Sequence, residues 1–217
     1  MQHSGFEPRS KAAAAYERLR HEIRTGELAP GERVTLHRLS ERLGMSLTPI
    51  REALNKLEAE GFVVHRRHHG TRIAEFSRAR MEQTYRLRKT LEPMAVRLAA
   101  ERVASRWPEE EFARVEQLLY ACDQAGTALE VVRRNEEFHR GLYRLSGDLL
   151  LQEFIEKLWA GVPYQSLSLY GGGERVRQSG REHRLILDAV AAGEAKAAAA
   201  RMYEHIEHGQ AAALRSL

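Results

Sequence analysis

Hydrophobic residues recur at helical spacing along most of the chain, and short breaks separate one helical segment from the next. In the first third, Ala15, Leu19 and Ile23 predict a helix, which a stretch rich in glycine and proline ends. Thr35 is suited to cap a second, shorter helix, and Gly44 is suited to end it. The pattern therefore predicts a longer helix, then a short one that closes in a tight turn.

The next helix begins with SLTPIREAL, which holds a proline, an arginine and a glutamate in its first turns. Its apolar face is formed by Ile50, Ala53, Leu54 and Leu57. The opposite face carries Leu47, Thr48 and Arg51, and the early proline breaks no intrahelical hydrogen bond. Two β-branched runs around a glycine turn then predict a hairpin. Three helices followed by a hairpin are typical of a winged helix-turn-helix.

Helical patterning continues from residue 77 to the end of the chain, with almost no strand signal. Ser77 is suited to cap the first of these helices, and another is predicted from Asp148 to about Tyr170. Turns are marked by GGGE at 171–174 and AAGE at 191–194. We predict a mostly α-helical protein in three parts: a flexible arm at residues 1–10, a winged helix-turn-helix domain at 11–76 and an all-α domain at 77–217.

Composition narrows the class of protein. The chain has 217 residues, of which 43% are hydrophobic and 29% are charged, as in ordinary globular proteins. No apolar run is long enough to cross a membrane, and the first residues lack the apolar core of a secretory signal. Cys122 is the only cysteine, so we expect no intrachain disulfide and no cysteine metal site. These features favour a cytoplasmic protein with no membrane partner.

Positive charge is concentrated towards the N-terminus. The net charge is +4, and residues 1–75 hold 13 Lys and Arg against 10 Asp and Glu. The excess clusters in HRRHHGTR, at the turn of the predicted hairpin. An excess of this size is compatible with a polyanionic partner but does not identify one.

The polar face of the third helix suits contact with DNA bases. Residues near the N-terminus of a recognition helix reach base edges in the major groove. Arg51 can donate two hydrogen bonds to a guanine, and Thr48 can bind a phosphate or contact a thymine methyl. Arg66, Arg67 and Arg72 on the hairpin are suited to contact phosphates or the minor groove. The alternative is that these side chains are only solvated and that the three-helix core has no DNA ligand.

Four motifs lie in order along the first 75 residues: the G-x-L-x-P-G turn at 26–31, the LSERLG helix, the TPIREAL helix and the GTRIA wing. Together they resemble the DNA-binding domain of the GntR family of transcription regulators. The resemblance implies DNA contacts from the second helix, the third helix and the wing. With the hairpin arginines, the predicted DNA-binding residues are His37, Arg38, Leu47, Thr48, Arg51, Arg66, Arg67 and Gly70. Many members have arginine in place of His37 and Leu47, so we expect an altered base readout.

The C-terminal part contains YRLRKTLEPMAVRLAA, NEEFHRGLYRLSGD and EHRLILDAVAAGEAKAAAARMYEHI. These stretches resemble the helical effector domain, or FCD domain, of the FadR-type branch of the same family. The resemblance implies an antiparallel all-α bundle of six or seven helices. It also implies a divalent metal in the bundle and a small organic acid as effector.

Four residues are candidate metal ligands. Asn135 and His139 lie one turn apart on one helix face, whereas His183 and His205 lie on two later helices. Imidazoles from three helices can converge on one ion, and nitrogen donors with open positions suit zinc or nickel. The family most often has Asp at the position of Asn135, so we expect a weaker, uncharged ligand there. Each histidine could instead be an ordinary surface or core residue.

Arg88 is a candidate effector-binding residue. It begins a match to the R-x-x-L-E motif of the family, and a guanidinium can bind a carboxylate through two hydrogen bonds. An ion pair with Glu92, one turn later, is an equally good interpretation. Trp107, Tyr143 and Trp159 are interpreted as core residues.

These features predict a ligand-responsive, DNA-binding transcriptional regulator that is not an enzyme. We expect a homodimer on a pseudo-palindromic operator, acting as a repressor that a small carboxylate metabolite releases. Two alternatives remain. Three histidines with open metal positions could activate water in a metal-dependent hydrolase. The bundle could also serve only to dimerise a DNA-binding protein that has no effector.

Overall fold

The computed structural model of the chain describes residues 10–66, 70–75, 78–160 and 173–215. The chain divides into two compact units, Met1–Phe76 and Ser77–Leu217. The first unit contains the helices α1 (Lys11–Thr25), α2 (Leu36–Leu43) and α3 (Leu47–Ala59) and the strands β1 (Arg33–Val34), β2 (Val63–Arg66) and β3 (Gly70–Ile73).

Local hydrogen bonds set the ends of the first two helices. The Ser10 hydroxyl accepts from the backbone of Ala13 at the start of α1, and Thr35 accepts from the backbone of Arg38 at the start of α2. Gly44 ends α2 with a φ of 63°, a conformation that glycine adopts without a steric penalty. The cap at Thr35 and the stop at Gly44 are therefore those that the sequence predicts.

The predicted hairpin is present, and a third strand extends it. β2 and β3 are antiparallel, with Val63 opposite Ile73. β1 pairs with the other edge of β3, which gives the strand order β1-β3-β2. The hydrophobic pattern does not predict β1, because a strand of two residues has no periodicity to detect. The winged helix-turn-helix fold is confirmed.

The second unit is helical throughout its described part. Its helices are α4 (Arg78–Ser105), α5 (Glu109–Asp123), α6 (Ala128–Arg144), α7 (Leu149–Ala160), α8 (Gly173–Ala191) and α9 (Ala195–Arg215). The side chain of Thr127 and that of Glu130 cap each other's backbone N–H groups at the start of α6. α9 packs along both α4 and α8, and α6 packs against α4, α5 and α7. This arrangement places α6, α8 and α9 around a shared interior.

Some predicted features lie outside the described residues. They are the arm up to residue 9, the cap at Ser77, the helix beyond residue 160 and the first half of the GGGE turn. None of the helices in the described ranges combines the length and the apolar character that crossing a membrane requires.

Candidate metal centre and nucleic-acid interface

Three histidines meet inside the second unit. His139 comes from α6, His183 from α8 and His205 from α9. Their ring centroids lie 4.8 to 5.0 Å apart, and one ring nitrogen from each lies within 4.8 Å of the others. Their relative exposures are 1%, 2% and 6%. Three of the four candidate metal ligands are thus brought to one buried place.

Burial keeps the three imidazoles neutral. Loss of solvation lowers the pKa of His139 and of His183 well below the usual range, and the neighbouring cationic groups act in the same direction. Burial also lowers the pKa of His205, although a hydrogen bond to Glu182 opposes it. A neutral imidazole retains the lone pair that coordinates a metal.

Tyr143 and Glu92 orient the ring of His139. The Tyr143 hydroxyl donates to Oε2 of Glu92 at 2.6 Å and lies 3.1 Å from Nδ1 of His139. Because the only hydroxyl proton goes to Glu92, the Tyr143 oxygen accepts a hydrogen bond from Nδ1 of His139. Nε2 of His139 is then the unprotonated nitrogen, which is the one suited to coordinate an ion.

A carboxylate on α8 orients His205 in the same way. Nδ1 of His205 donates to Oε2 of Glu182 at 2.7 Å, and Nη1 of Arg175 donates to the same oxygen at 2.9 Å. Burial acts to raise the pKa of Glu182, but these two partners hold it at about 2. His208 also binds Glu182, at 2.7 Å, but it is exposed and stands apart from the buried trio. His205 rather than His208 is therefore the third histidine of the cluster.

Two buried polar atoms that line one cleft have no hydrogen-bond partner among the described residues. They are Oδ1 of Asn135 and Nδ1 of His183, whose Nε2 lies 3.2 Å from the Ser179 hydroxyl. Leaving buried polar atoms unpaired is costly, so such atoms call for an explanation. A cation beside them would bind the Asn135 oxygen, and it would bind Nδ1 of His183 in the tautomer whose Nε2–H donates to the Ser179 hydroxyl. The donor set of three neutral imidazoles and one amide oxygen therefore fits a divalent transition metal.

Arg88 and Glu92 form a buried ion pair on α4. Nε of Arg88 donates to Oε1 of Glu92, and Nη2 lies 3.3 Å from Oε2. Burial alone would lower the pKa of Arg88, but the Glu92 carboxylate outweighs it and the pKa is raised. Trp159 donates to the same carboxylate at 2.8 Å. Arg88 thus forms the ion pair with Glu92 that is one of its two interpretations. The Tyr143 hydroxyl connects Glu92 of this pair to His139.

Several residues around the three histidines have polar roles that the sequence does not predict. The sequence predicts Tyr143 and Trp159 as core residues, and both are buried, but it assigns them no polar role. The same prediction for Trp107 is wrong, because Trp107 is 51% exposed and packs only one side against Phe112. Glu182 directly precedes a candidate ligand, His183, and that adjacency was the available signal for a carboxylate near the cluster. Arg175 has no comparable signal, because its contact depends on how α8 packs against α9.

The start of α3 presents the predicted base-contacting residues. Thr48 and Arg51 are exposed, whereas Leu47 is half-buried and Pro49 is buried in the first turn. Ser46 occupies the N-cap position without accepting a hydrogen bond through its side chain. The face opposite the apolar stripe is therefore accessible near the helix N-terminus, where recognition helices contact bases.

Other predicted DNA-binding residues of the first unit lie on α2 and on the wing. His37 and Arg38 are exposed, and Arg38 pairs with Glu32 at 2.7 Å. Gly70 begins β3 with a φ of 75°, which favours glycine, and a Cβ there would meet the Arg33 guanidinium at 3.4 Å.

The structure describes the three hairpin arginines to different extents. Arg66 ends β2, and Arg67 lies outside the described residues. Arg72 donates from Nη1 to the backbone oxygen of Gly31 at 2.8 Å. That contact ties β3 to the turn before β1, so Arg72 has a structural role beside any contact with phosphate.

Comparison with known proteins identifies a family match for each of the two units. The bacterial regulatory protein gntR family matches residues 11–73, and the FCD domain matches residues 83–208. The transcriptional regulator YdhC of Bacillus subtilis is 29% identical over 197 residues, covering 89% of this chain and 86% of YdhC. The regulator McbR of Escherichia coli is 33% identical over 144 residues, covering 65% of this chain and 63% of McbR.

Two further matches extend over nearly the whole chain. The transcriptional repressor GlaR of Escherichia coli is 27% identical over 198 residues, covering 88% of this chain and 90% of GlaR. The solved structure of Escherichia coli McbR/YncC superposes with a TM-score of 0.77 at 27% identity, covering 92% of this chain and 94% of that one. The order of the two domains and the fold are thus shared with proteins named as regulators.

Proposed function

The chain belongs to the GntR family of bacterial regulatory proteins, with an FCD domain as its second unit, and we propose that it is a metal-containing repressor that a small organic acid releases from DNA. Its relatives are named transcriptional regulators or repressors, so it is a DNA-binding regulator and not an enzyme. The hydrolase alternative is therefore set aside. A regulator of this kind acts at the chromosome, and we propose a cytoplasmic location.

DNA contact by the first unit is supported by the exposed start of α3. Thr48 and Arg51 lie within one turn of each other there, and Leu47 borders them. We propose that Arg51 contacts a guanine and that Thr48 and the α2 residues His37 and Arg38 contact the backbone or neighbouring bases. We propose that the hairpin residues Arg66, Arg67 and Gly70 contact the DNA as well. A homodimer would present two such surfaces to the two halves of an operator.

Metal binding by the second unit is supported most strongly by the convergence of three buried histidines and by the two unpaired buried atoms, Oδ1 of Asn135 and Nδ1 of His183. We propose that these residues, with His139 and His205, hold one divalent ion, with zinc and nickel as the best candidates. The ion would supply a buried positive charge that attracts an anionic effector. Because all four donors are neutral, none of them cancels that charge.

We propose that Arg88 is the partner of the effector carboxylate. Its guanidinium is buried beside Trp159 and belongs to the network that orients His139. An acid that engages Arg88 would compete with Glu92 for its hydrogen bonds. Such competition offers a physical route from effector binding to a changed packing of α4, and so to a changed DNA affinity.

One set of measurements tests this proposal. Selection of DNA fragments by the full-length wild-type protein should yield a two-fold symmetric sequence, and metal analysis should find about one zinc or nickel ion per chain after loading. The His139→Ala/His183→Ala double variant should lose the ion. Thermal-shift screening of the loaded protein should find an organic acid that raises Tm and weakens operator binding. A loaded protein that no acid stabilises would instead favour a bundle that only dimerises.

A further inference from the structure

Arg38 on α2 and Glu32, directly before β1, form an ion pair at the surface of the first unit. Nη2 of Arg38 donates to Oε1 of Glu32 at 2.7 Å, and Nη1 donates to the backbone oxygen of Arg33 at 3.3 Å. The side chain of Arg38 nevertheless remains 54% exposed. Its guanidinium is therefore already bound within the unit but can still be reached from solvent.

Backbone contacts hold Glu32 in place. Its Oε2 accepts from the N–H of Ala29 at 2.9 Å, and its own N–H donates to the Ala29 oxygen at 3.0 Å. Its backbone oxygen accepts from the N–H of Ile73 on β3 at 2.9 Å. Glu32 is half-buried, and these contacts present its carboxylate to Arg38 at a fixed position. The pair therefore loses less side-chain entropy than a pair between two mobile groups.

Arg51, the proposed base-contacting arginine, differs from Arg38 in this respect. It is exposed on α3, and no carboxylate within the described ranges pairs with it. Arg42, one turn after Arg38 on α2, binds a different carboxylate, that of Glu22, at 2.8 Å. Arg51 is thus available to a base from the start, whereas Arg38 is held by an internal anion.

We propose that Glu32 competes with DNA phosphate for Arg38 and thereby limits the affinity of the first unit for the DNA backbone. Carboxylate and phosphate oxygens accept the same charge-assisted hydrogen bonds from a guanidinium. A phosphate at Arg38 must therefore either displace Glu32 or lie beside its negative charge, and both weaken binding. Backbone contacts carry no sequence information, so the competition acts alike on the operator and on other DNA. The inference rests on the proposed function, because it takes Arg38 as part of the DNA-binding surface.

Fluorescence anisotropy of the full-length protein on the selected operator and on a random-sequence duplex tests this competition. Glu32→Gln keeps an acceptor for Ala29 but removes the charge, so it should bind both duplexes about two- to fivefold more tightly, which is the usual strength of an exposed ion pair. The slope of log affinity against log salt should steepen by about 0.9, as for one added phosphate contact. Glu17→Gln on α1 removes the same charge from an exposed position outside the proposed surface and should bind DNA like the wild type.

A double-mutant cycle separates the competition from a change in net charge. In the Arg38→Gln background, Glu32→Gln should give little gain in affinity, because no guanidinium is released. An equal gain with and without Arg38 would overturn the proposal. So would an unchanged or weaker affinity of a Glu32→Gln protein that urea unfolding shows to be folded, since the pair would then only brace α2 against β1. Failure of the wild type to discriminate the operator from the random duplex would count against the proposed function instead, because the cycle can be measured on either duplex.

Discussion

The hydroxyl of Tyr143 on α6 donates to the carboxylate of Glu92 on α4 at 2.6 Å, in a place where both residues are almost wholly buried. Burial and the Glu92 charge together raise the pKa of Tyr143 well above its usual range, so its proton stays on the hydroxyl. The same hydroxyl oxygen accepts from His139. This contact links an ion pair inside one helix to the histidine cluster formed by three others.

Replacing Tyr143 with phenylalanine should weaken metal binding without removing a ligand. His139 would lose the partner that holds its Nδ1 proton, and changes of this kind typically cost about 10- to 100-fold in metal affinity. Glu92 would lose one of its donors, which should lower the free energy of unfolding by about 1–3 kcal/mol. Competition with a chelator of known affinity and urea unfolding measure the two effects.

The exposed Tyr203 of α9 provides the control for this variant. Tyr203→Phe makes the same chemical change on the same unit and should leave both quantities unchanged. If Tyr143→Phe retained wild-type zinc affinity, the hydroxyl would have no part in orienting His139.

The Arg88–Glu92 pair should behave as a buried ion pair in a double-mutant cycle. Arg88→Met leaves the Glu92 carboxylate buried with only neutral donors, and removal of one partner of such a pair costs about 3–5 kcal/mol. Arg88→Met/Glu92→Gln removes the orphaned charge and keeps an acceptor for Tyr143 and Trp159. We therefore expect the double variant to be more stable than the single one in urea unfolding.

The same double variant separates the two interpretations of Arg88. If Arg88 binds the effector, the folded double variant should no longer respond to the organic acid found by thermal shift. If the response is unchanged, Arg88 serves only to neutralise Glu92. A double variant that is less stable than Arg88→Met would contradict the ion-pair argument itself.

The features that the sequence predicts well are those set by near neighbours. Thr35 caps a helix three residues away, and Gly44 ends it through its own backbone conformation. Such contacts depend on spacing alone, so periodicity and cap residues reveal them. Helical spacing and the family resemblance together predict that His139, His183 and His205 can converge, and their rings do lie together in the structure.

The polar network around the cluster could not be predicted in this way. Tyr143 and Trp159 lie 51 and 67 residues from Glu92 in sequence, and both would be buried even without a polar contact. Helical spacing predicts which face of α6 and of α7 is buried, but it does not predict which buried atoms form hydrogen bonds with each other. The pairing of Arg72 with Gly31 is hidden for the same reason, since it depends on how β1 joins the hairpin.

Stability of the metal-free protein should fall as pH is lowered through the range where unfolded histidines titrate. In the folded state His139, His183 and His205 have lowered pKa values, so they stay neutral below about pH 6.5 while their unfolded counterparts take up protons. The unfolded state then binds more protons, and the free energy of unfolding decreases by about 1.4 kcal/mol per pH unit for each such histidine.

Urea unfolding of the chelator-treated protein between about pH 7.5 and about pH 5.5 measures this dependence. The lowered pKa of Glu182 does not obscure it, because that carboxylate loses its contribution only in the more acidic range below its unfolded pKa. An NMR titration of the ring protons supplies a second reading. Stability independent of pH in this range, or rings that protonate like free histidine, would contradict the buried neutral state.

Arg51→Ala should remove specific DNA recognition while leaving the first unit folded. Arg51 is exposed on α3 and lies opposite the buried face that contains Ile50 and Leu57, so its loss disturbs no core contact. A bidentate contact with guanine contributes about 1–3 kcal/mol of discrimination between bases. We therefore expect the variant to bind the selected operator and unrelated DNA with similar affinity, as measured by fluorescence anisotropy at fixed salt. Arg18→Ala on α1 removes another exposed arginine, outside the proposed surface, and should retain specificity. Full specificity in Arg51→Ala would mean that another residue reads the operator.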